Sequence, residues 1–225
     1  MARTRPARGL AARFYERPVV EVARALLGCV VEHEGVAGMI VETEAYHESE
    51  PACHAFVGVT PRTRTLFEGP GTAYVYRSYG IHALLNAVCE PAGVGAAVLI
   101  RALEPLSGIE AMRERRGGVG DRQLCSGPGK LTQALAIGLA QNRTSLVDGP
   151  VRLRRADSEE AARLAPTARH EQAARLDLAD GIGMPVAVGT RIGISKAVEL
   201  RWRFCLAGNR HVSRPWPERQ LSRSG

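Results

Sequence analysis

Three polar residues alternate along an otherwise apolar stretch at positions 41–46 (VETEAY), namely Glu42, Glu44 and Tyr46. Side chains of a β-strand point to opposite faces in turn, so these three share one face of the predicted strand, while Val41 and its alternating neighbours share the other. An ionised carboxylate on such a face can activate a water molecule and stabilise a developing positive charge. A solvated network of ion pairs would also place carboxylates there, so the pattern alone leaves both interpretations open.

A second unusual feature is the tip of a predicted hairpin whose strands cover residues 73–78 and 83–90. The four-residue tip at 79–82 (YGIH) carries Tyr79 and Ile81. A bulky apolar side chain at such a tip has no core of its own to fill. The tip therefore exposes two large side chains. A single exposed tyrosine at a turn would be unremarkable by itself.

Other predicted elements must position these residues. Apolar periodicity, proline and glycine signals predict helices over residues 18–27, 108–116 and 131–137, and strands over residues 29–32, 37–46, 96–103, 186–195 and 201–207. Residues 154–180 are predicted only as loop or marginal helix. Because strands outnumber helices without a βαβ rhythm, the sequence predicts an α+β fold of one domain, with a curved, largely antiparallel sheet, surrounding helices and a protruding β-hairpin.

The composition favours one basic domain. The chain has 225 residues with 45% hydrophobic content, which is enough for one substantial core, and its formal net charge is +7. Positive charge favours a polyanionic partner, and leaves nucleic acid and acidic membrane surfaces both open. We divide the chain into a basic, flexible N-terminal tail (1–13), a main domain (14–215) and a C-terminal tail (216–225).

The five cysteines are scattered, with no CxxC pair and no nearby histidine to complete a zinc site. We therefore expect neither a metal nor another cofactor. An odd cysteine count without a secretory signal is typical of a reducing compartment, and no apolar run approaches the roughly 20 residues that span a bilayer. We expect a soluble intracellular protein, cytoplasmic and associated with the nucleoid if bacterial, or nuclear if eukaryotic.

Five blocks, in colinear order between residues 14 and 212, resemble the alkyladenine (3-methyladenine) DNA glycosylase family. They are residues 41–46 (VETEAY), 52–55 with 61–64 (ACHA, PRTR), 71–80 (GTAYVYRSYG), 99–106 (LIRALEPL) and 124–131 (LCSGPGKL). Residues 154–180 fall outside the match. The resemblance implies a monofunctional enzyme of base excision repair that acts on double-stranded DNA containing damaged purines. It leaves the preferred base open among 3-methyladenine, 7-methylguanine, hypoxanthine and ethenoadenine. We expect a monomer, because one flipped base per active site makes a monomer sufficient.

The same resemblance implies roles for individual residues. Glu44 takes the position of the family's catalytic carboxylate, which activates water, while Arg101 helps to hold that water and keeps Glu44 ionised. Tyr46, His54 and Tyr76 resemble the family's base pocket, in which aromatic faces attract cationic alkylated purines and the histidine hydrogen-bonds the base edge. Without the resemblance, these three residues would be interpreted as ordinary core residues.

Asn86 and Leu99 are implied as further pocket residues, and Asn86 corresponds to the asparagine that rejects intact guanine by a clash with its exocyclic amine. Tyr79, with Ile81 beside it, corresponds to the wedge that fills the space left by the flipped nucleotide. The sequence departs from the family's pattern after the wedge, at residues 82–83. It matches only loosely at residues 192–195, which the resemblance implies lie beside the catalytic water.

Arg62, Arg64 and Lys130 are candidate contacts to DNA phosphates. Lys130 ends the string at 126–130 (SGPGK), which is not a nucleotide-binding loop because Leu131 replaces the required Ser or Thr.

Three other functions can be compared with this one. A zinc base deaminase is excluded, because its Pro-Cys-x-x-Cys signature is absent. A bifunctional glycosylase needs an amine nucleophile, and neither Lys130 nor Lys196 lies in a block that carries the matched catalytic residues. A non-catalytic module that binds damaged DNA remains the main competitor, since basic charge and clustered tyrosines serve stacking equally well.

Overall fold

The computed structural model describes residues 9–163 and 184–217, which form one curved sheet with helices packed against it. In the described residues the sheet has eight strands, all paired antiparallel, and their order is β3-β4-β5-β2-β1-β6, with β8 paired to β2 and to β7. The strands are β1 (Cys29–His33), β2 (Val36–His47), β3 (Ala73–Ser78), β4 (His82–Val88), β5 (Ala96–Ser107), β6 (Arg152–Arg155), β7 (Val186–Gly189) and β8 (Arg203–Leu206).

Six α-helices and three short 3₁₀ turns surround this sheet in the described part of the chain. The helices are α1 (Ala12–Tyr15), α2 (Val19–Ala25), α3 (Ile109–Arg115), α4 (Asp121–Leu124), α5 (Pro128–Ala134) and α6 (Ser158–Arg163). The 3₁₀ turns are His54–Val57, Arg64–Phe67 and Leu139–Gln141. None of the helices in the described ranges is long and apolar enough to cross a membrane.

Helix α2 packs across β2 and supports it from the side of the main core. Val19, Val22 and Ala23 recur at helical spacing and are all buried there. The hydroxyl of Thr43 on β2 donates a hydrogen bond of 2.8 Å to the carbonyl of Ala23. This face of β2 is therefore fixed by the core, which leaves the other face to carry the polar residues.

Strands β2 and β5 form the longest pairing, and its register skips Val41 on β2 and Arg101 on β5. Such a bulge places an additional residue in one strand and re-aims its side chain. Arg101 uses this position to reach the polar face of β2, where it contacts both Glu42 and Glu44.

The α+β fold and the largely antiparallel sheet predicted from the sequence are confirmed. The predicted helix at 131–137 begins earlier, at Pro128, because proline is well tolerated in the first turn, where the backbone N–H has no partner. The strand predicted over residues 186–195 is wrong beyond Gly189, whose pairing with Arg203 is the last of β7. After it the chain turns back towards β2, so that residues 190–195 form a loop.

Both predicted tails lie mainly outside the described residues, namely 1–8 and 218–225, as do residues 164–183 of the unmatched segment. Within the predicted N-terminal tail, Leu10 is buried and its amide donates to the carbonyl of Leu153 at 2.7 Å. The boundary predicted at residue 13 thus falls inside packed structure. All five cysteines are buried and free.

Candidate active site

A row of paired residues crosses the sheet and assembles the site. Tyr74 pairs with Asn86, Asn86 with Leu99, Leu99 with Glu44, and Glu44 with Arg203. Directly opposite residues in antiparallel strands point to the same face. The register therefore brings together side chains from β3, β4, β5, β2 and β8 that are far apart in the sequence.

Glu42 is the centre of a buried ionic cluster. One of its oxygens accepts hydrogen bonds from Arg101 Nε at 3.0 Å, Arg203 Nε at 2.7 Å and the Ser213 hydroxyl at 2.8 Å. Its other oxygen accepts from the backbone amide of Ser213 at 2.7 Å. Because its acceptors are occupied by protein groups and its side chain is fully buried, Glu42 serves to hold the two arginines.

Glu44 is held differently, with one guanidinium and two neutral donors. Its Oε1 accepts from the backbone amide of Ile192 at 2.7 Å, and its Oε2 accepts from the Tyr46 hydroxyl at 2.9 Å and from Arg101 Nη1 at 3.1 Å. Burial raises the pKa of Glu44 above its ordinary value, while Arg101, the Ile192 amide and the Tyr46 hydroxyl oppose that rise. A carboxylate with a raised pKa is a stronger base than an exposed one.

An open cleft of about 640 Å³ lies beside this cluster, and Tyr46 and Arg101 line it. Its other lining residues include His54, Tyr74, Tyr76, Asn86 and Leu99. All five base-pocket residues predicted from the sequence therefore line one cleft. Glu44 itself is fully buried behind Tyr46 and Arg101, which both hydrogen-bond to it.

Aromatic rings form one wall of the cleft. The rings of Tyr74 and Tyr76 stack with centroids 5.3 Å apart, and His54 lies edge-on to Tyr76 at 4.7 Å. Burial, together with the neighbouring Arg62 guanidinium, lowers the pKa of His54, so that its ring is neutral at neutral pH. Burial also raises the pKa of Tyr76 to about 12, which keeps its phenol protonated. This wall offers flat, uncharged faces to a flat ligand.

Asn86 is anchored inside the cleft rather than free to rotate. Its Nδ2 donates to the carbonyl of Tyr74 at 3.1 Å and lies 3.4 Å from that of Leu84. These bonds bridge β3 and β4 and orient the amide group. Tyr74 was not predicted from the sequence, although it lies within the matched block at 71–80 and occupies the same wall as Tyr76.

The hairpin tip projects from the sheet as predicted. Tyr79 is 90% exposed and Ile81 72% exposed, the former being the most exposed of the large apolar side chains described. Tyr79 has a φ of 50°, which is a strained conformation for a bulky residue, and Gly80 follows with a φ of 71°. Two consecutive residues with positive φ make a tight turn that holds both side chains outwards.

The three predicted phosphate contacts do not lie together. Arg62 lines the aromatic cleft, with its Nη2 3.5 Å from His54 Nε2 and its guanidinium 5.9 Å from the centre of the Tyr76 ring. Arg64 is exposed in the neighbouring 3₁₀ turn. Lys130 is exposed on α5 and lines a second cleft.

Sequence reasoning missed Arg191, in the loop after β7. Arg191 forms a two-pronged ion pair with Glu50, at 2.6 and 2.9 Å, and its guanidinium lies 4.6 Å from the centre of the Tyr46 ring. The next residue, Ile192, donates its amide to Glu44. Arg191 therefore ties this loop to β2 and packs against Tyr46. No local sequence pattern predicts the ion pair between Arg191 and Glu50, because 141 positions separate the two residues.

Taken together, the fold and the cleft define a site in which aromatic side chains line an open cleft beside a buried, arginine-paired carboxylate. The methylpurine-DNA glycosylase family matches residues 13–210 of the chain. The chain belongs to this family.

Individual relatives agree with the family match. Proteins from Rhodopseudomonas palustris (strain BisB18) and Bradyrhizobium diazoefficiens are 48% and 49% identical over 205 residues, which cover 91% of this chain and 90% of each relative. A protein from Methanoculleus marisnigri is 45% identical over 208 residues, which cover 91% of this chain and 98% of the relative. Each carries the provisional name 3-methyladenine DNA glycosylase. The similarity thus spans nearly the whole chain, and it identifies a hydrolase that acts on N-glycosidic bonds of DNA.

Proposed function

We propose that this protein is a monofunctional glycosylase that flips an alkylated or deaminated purine from duplex DNA and hydrolyses its bond to the sugar. The observation that carries the proposal is the position of Glu44, a buried carboxylate held by Ile192, Tyr46 and Arg101 at the side of an aromatic cleft. The product is an abasic site. Such an enzyme acts on genomic DNA, in the nucleoid of a bacterial cell.

The chemistry assigned to Glu44 is that of a general base. As the N-glycosidic bond breaks, positive charge builds on the sugar, and the bonding electrons leave with the base. Water adds through its oxygen to C1′, and its proton passes to Glu44, whose raised pKa favours that transfer. Arg101 orients the water and, by its charge, keeps Glu44 ionised before the reaction.

Tyr46, Tyr76 and the neutral His54 hold the flipped base. Aromatic faces attract cationic rings such as those of 3-methyladenine and 7-methylguanine. The neutral imidazole is bonded to the Tyr74 hydroxyl through Nδ1 and presents Nε2, as a donor or an acceptor according to the tautomer, to the base edge, which also suits hypoxanthine and ethenoadenine. Asn86, anchored by its bonds across the hairpin, excludes guanine by a clash with its exocyclic amine, and Leu99 closes the pocket.

DNA contacts come from the hairpin tip and from basic side chains. Tyr79 and Ile81 fill the hole that the flipped nucleotide leaves, and strain at Tyr79 is of the kind found at functional sites. Arg62, Arg64 and Lys130 contact phosphates. A monomer suffices, because each flipped base needs one cleft.

The direct test is the release of free base from duplex DNA that contains one hypoxanthine or one alkylated adenine, followed by chromatography. We expect release from these duplexes and none from an undamaged duplex of the same sequence. Tight, damage-specific binding without release would instead identify a non-catalytic recognition module. That outcome would contradict the proposed hydrolysis.

Replacement of Tyr79 by alanine is expected to weaken the affinity for a duplex with an abasic site by about 10-fold. The reason is that the wedge offsets stacking energy lost on extrusion, on the order of a few kcal/mol. Equilibrium binding to labelled abasic duplex measures the loss. Leu139→Ala is the control, since Leu139 is also an exposed apolar residue but lies in another turn. Equal affinity of the Tyr79 variant and the parent would count against a wedge.

Borohydride is expected to trap no covalent adduct between the protein and damaged DNA. A lyase would form a Schiff base between an amine and C1′, and borohydride would reduce it to a stable bond. Lys196 is the amine to test, because it is one of only two lysines in the chain and lines the aromatic cleft. An adduct with the parent that disappears in Lys196→Arg would establish the lyase function instead.

A further inference from the structure

A second cleft, of about 500 Å³, adjoins the aromatic cleft and shares Arg101 with it. Four other cationic residues line this second cleft, which we call the basic cleft: Arg122, Lys130, Arg210 and Arg214. Each of these four is exposed to solvent. The shared wall also includes the start of α5, because Pro128 lines the aromatic cleft and Lys130 the basic cleft.

The charge of the basic cleft is not neutralised from within. Among the described residues, its lining includes no Asp or Glu. Two acidic residues of neighbouring segments are engaged elsewhere, since Asp121 pairs with Arg113 at 2.6 Å and Glu104 accepts from Asn209 at 2.7 Å. Arg101 differs from the four exposed cations, because Glu42 and Glu44 already balance its charge. The four exposed cations thus leave a positive cleft suited to an anion.

A hydrogen bond from a side chain to the backbone links two walls of this cleft. Arg122, at the start of α4, donates from its Nε to the carbonyl of Arg210 at 3.1 Å. This bond joins two walls that are 88 positions apart in the sequence. Gln123, Ser126 and Ser213 add polar groups to the lining. The cations therefore lie on a defined surface rather than on a mobile tail.

We infer that the basic cleft binds the phosphodiester next to the flipped nucleotide, on the damaged strand. The inference rests on the proposed function, because C1′ of that nucleotide must lie near Glu44 and Arg101 for water to attack it. The phosphates of the same nucleotide then lie one sugar away. Since Arg101 separates the two clefts, a base in the aromatic cleft directs a flanking phosphate into the basic cleft.

The first test compares the double variant Arg210→Gln/Arg214→Gln with the parent on a duplex containing one hypoxanthine. Affinity is expected to fall about 10-fold at low salt, and the slope of log affinity against log salt to decrease by about 1, because losing the contact to one phosphodiester removes roughly one released counterion. The matched control is Arg152→Gln/Arg163→Gln, which removes two exposed charges outside the cleft. Equal losses of affinity in both double variants would show that the effect comes from net charge alone, and would overturn the inference.

The second test locates the phosphate by replacing single phosphodiesters with neutral methylphosphonates on either side of the hypoxanthine. At one of the two positions, the replacement should weaken binding by the parent about 10-fold and binding by Arg210→Gln/Arg214→Gln hardly at all, because the contact is already lost. Equal weakening of both proteins at both positions would refute the contact. Inorganic phosphate at constant ionic strength should not compete with the duplex; effective competition would identify a site for free anions instead.

Base release by the parent is measured on the same hypoxanthine duplex. If the parent releases base and the methylphosphonate effects are equal in both proteins, the basic cleft is wrongly assigned and the proposed function stands. If the parent releases base neither from this duplex nor from a duplex containing one alkylated adenine, the proposed function itself fails.

Discussion

Replacement of Glu44 by glutamine is expected to lower the rate of base release by about 10²–10⁴-fold, which is the usual contribution of a general base. Glutamine preserves the size of the side chain and can still accept a hydrogen bond, but it cannot take the proton of the attacking water. Binding of damaged duplex should persist, because the aromatic cleft and the hairpin tip are unchanged. Single-turnover release of hypoxanthine and equilibrium binding to the same duplex measure the two properties separately.

The pH dependence of the parent gives an independent check on Glu44. Only the ionised carboxylate can act as a base, so release falls as the pH drops through the pKa of Glu44. Because burial raises that pKa, the fall should occur at a higher pH than for an exposed glutamate. Glu21→Gln, which alters an exposed carboxylate on α2, should keep the parental rate and profile. Unchanged turnover in Glu44→Gln would overturn the mechanism.

Local sequence was sufficient for the strand that carries the acids. The alternation of side chains along a strand can be recognised from neighbouring residues alone, and it placed Glu42, Glu44 and Tyr46 on one face. The structure brings these three together, with Arg101 contacting both acids and the Tyr46 hydroxyl bonded to Glu44. The same local logic identified the exposed tip at Tyr79, because turn residues interrupt two apolar strands there.

Alternation could not distinguish the two acids. Glu42 and Glu44 have the same residue type, strand and face, and from the residues alone either could activate water. The difference arises from contacts across the sheet, since Arg203 and Ser213 occupy Glu42 whereas Ile192 and Tyr46 hold Glu44. Those partners lie 148 to 171 positions away, apart from Tyr46. Family resemblance supplied the choice of Glu44, which stays a prediction.

The loop at residues 190–195 shows why the end of β7 and the contacts of Arg191 could not be predicted from the sequence. Its apolar residues, such as Ile192, continue the strand pattern of β7, so periodicity extended the strand too far. Tertiary contacts decide otherwise, because the buried Arg191 side chain binds Glu50 and the carbonyl of Ala45. A buried guanidinium needs such partners, and their positions follow from the closed fold rather than from local propensity.

Replacement of Glu42 by glutamine is expected to destabilise the protein by about 3–5 kcal/mol, the usual cost of removing one partner from a buried ionic cluster. The substitution leaves the Arg101 and Arg203 guanidiniums with a single compensating acid, Glu44. It also replaces one of two acceptor oxygens with an NH₂ group, although four donors face this carboxylate. Urea unfolding followed by circular dichroism measures the change in the free energy of unfolding.

Glu44→Gln is the matched control for this experiment, because it removes the same charge from the same strand two residues further on. Its carboxylate faces one guanidinium rather than two, and burial disfavours its ionised form. We therefore expect Glu44→Gln to lose less stability than Glu42→Gln, by about 2 kcal/mol. The two acids would then have different roles. Glu42 would stabilise the fold, whereas the buried charge of Glu44 would be retained for the chemical step. Equal destabilisation by the two substitutions would show that the acids share one structural role, and would contradict this division.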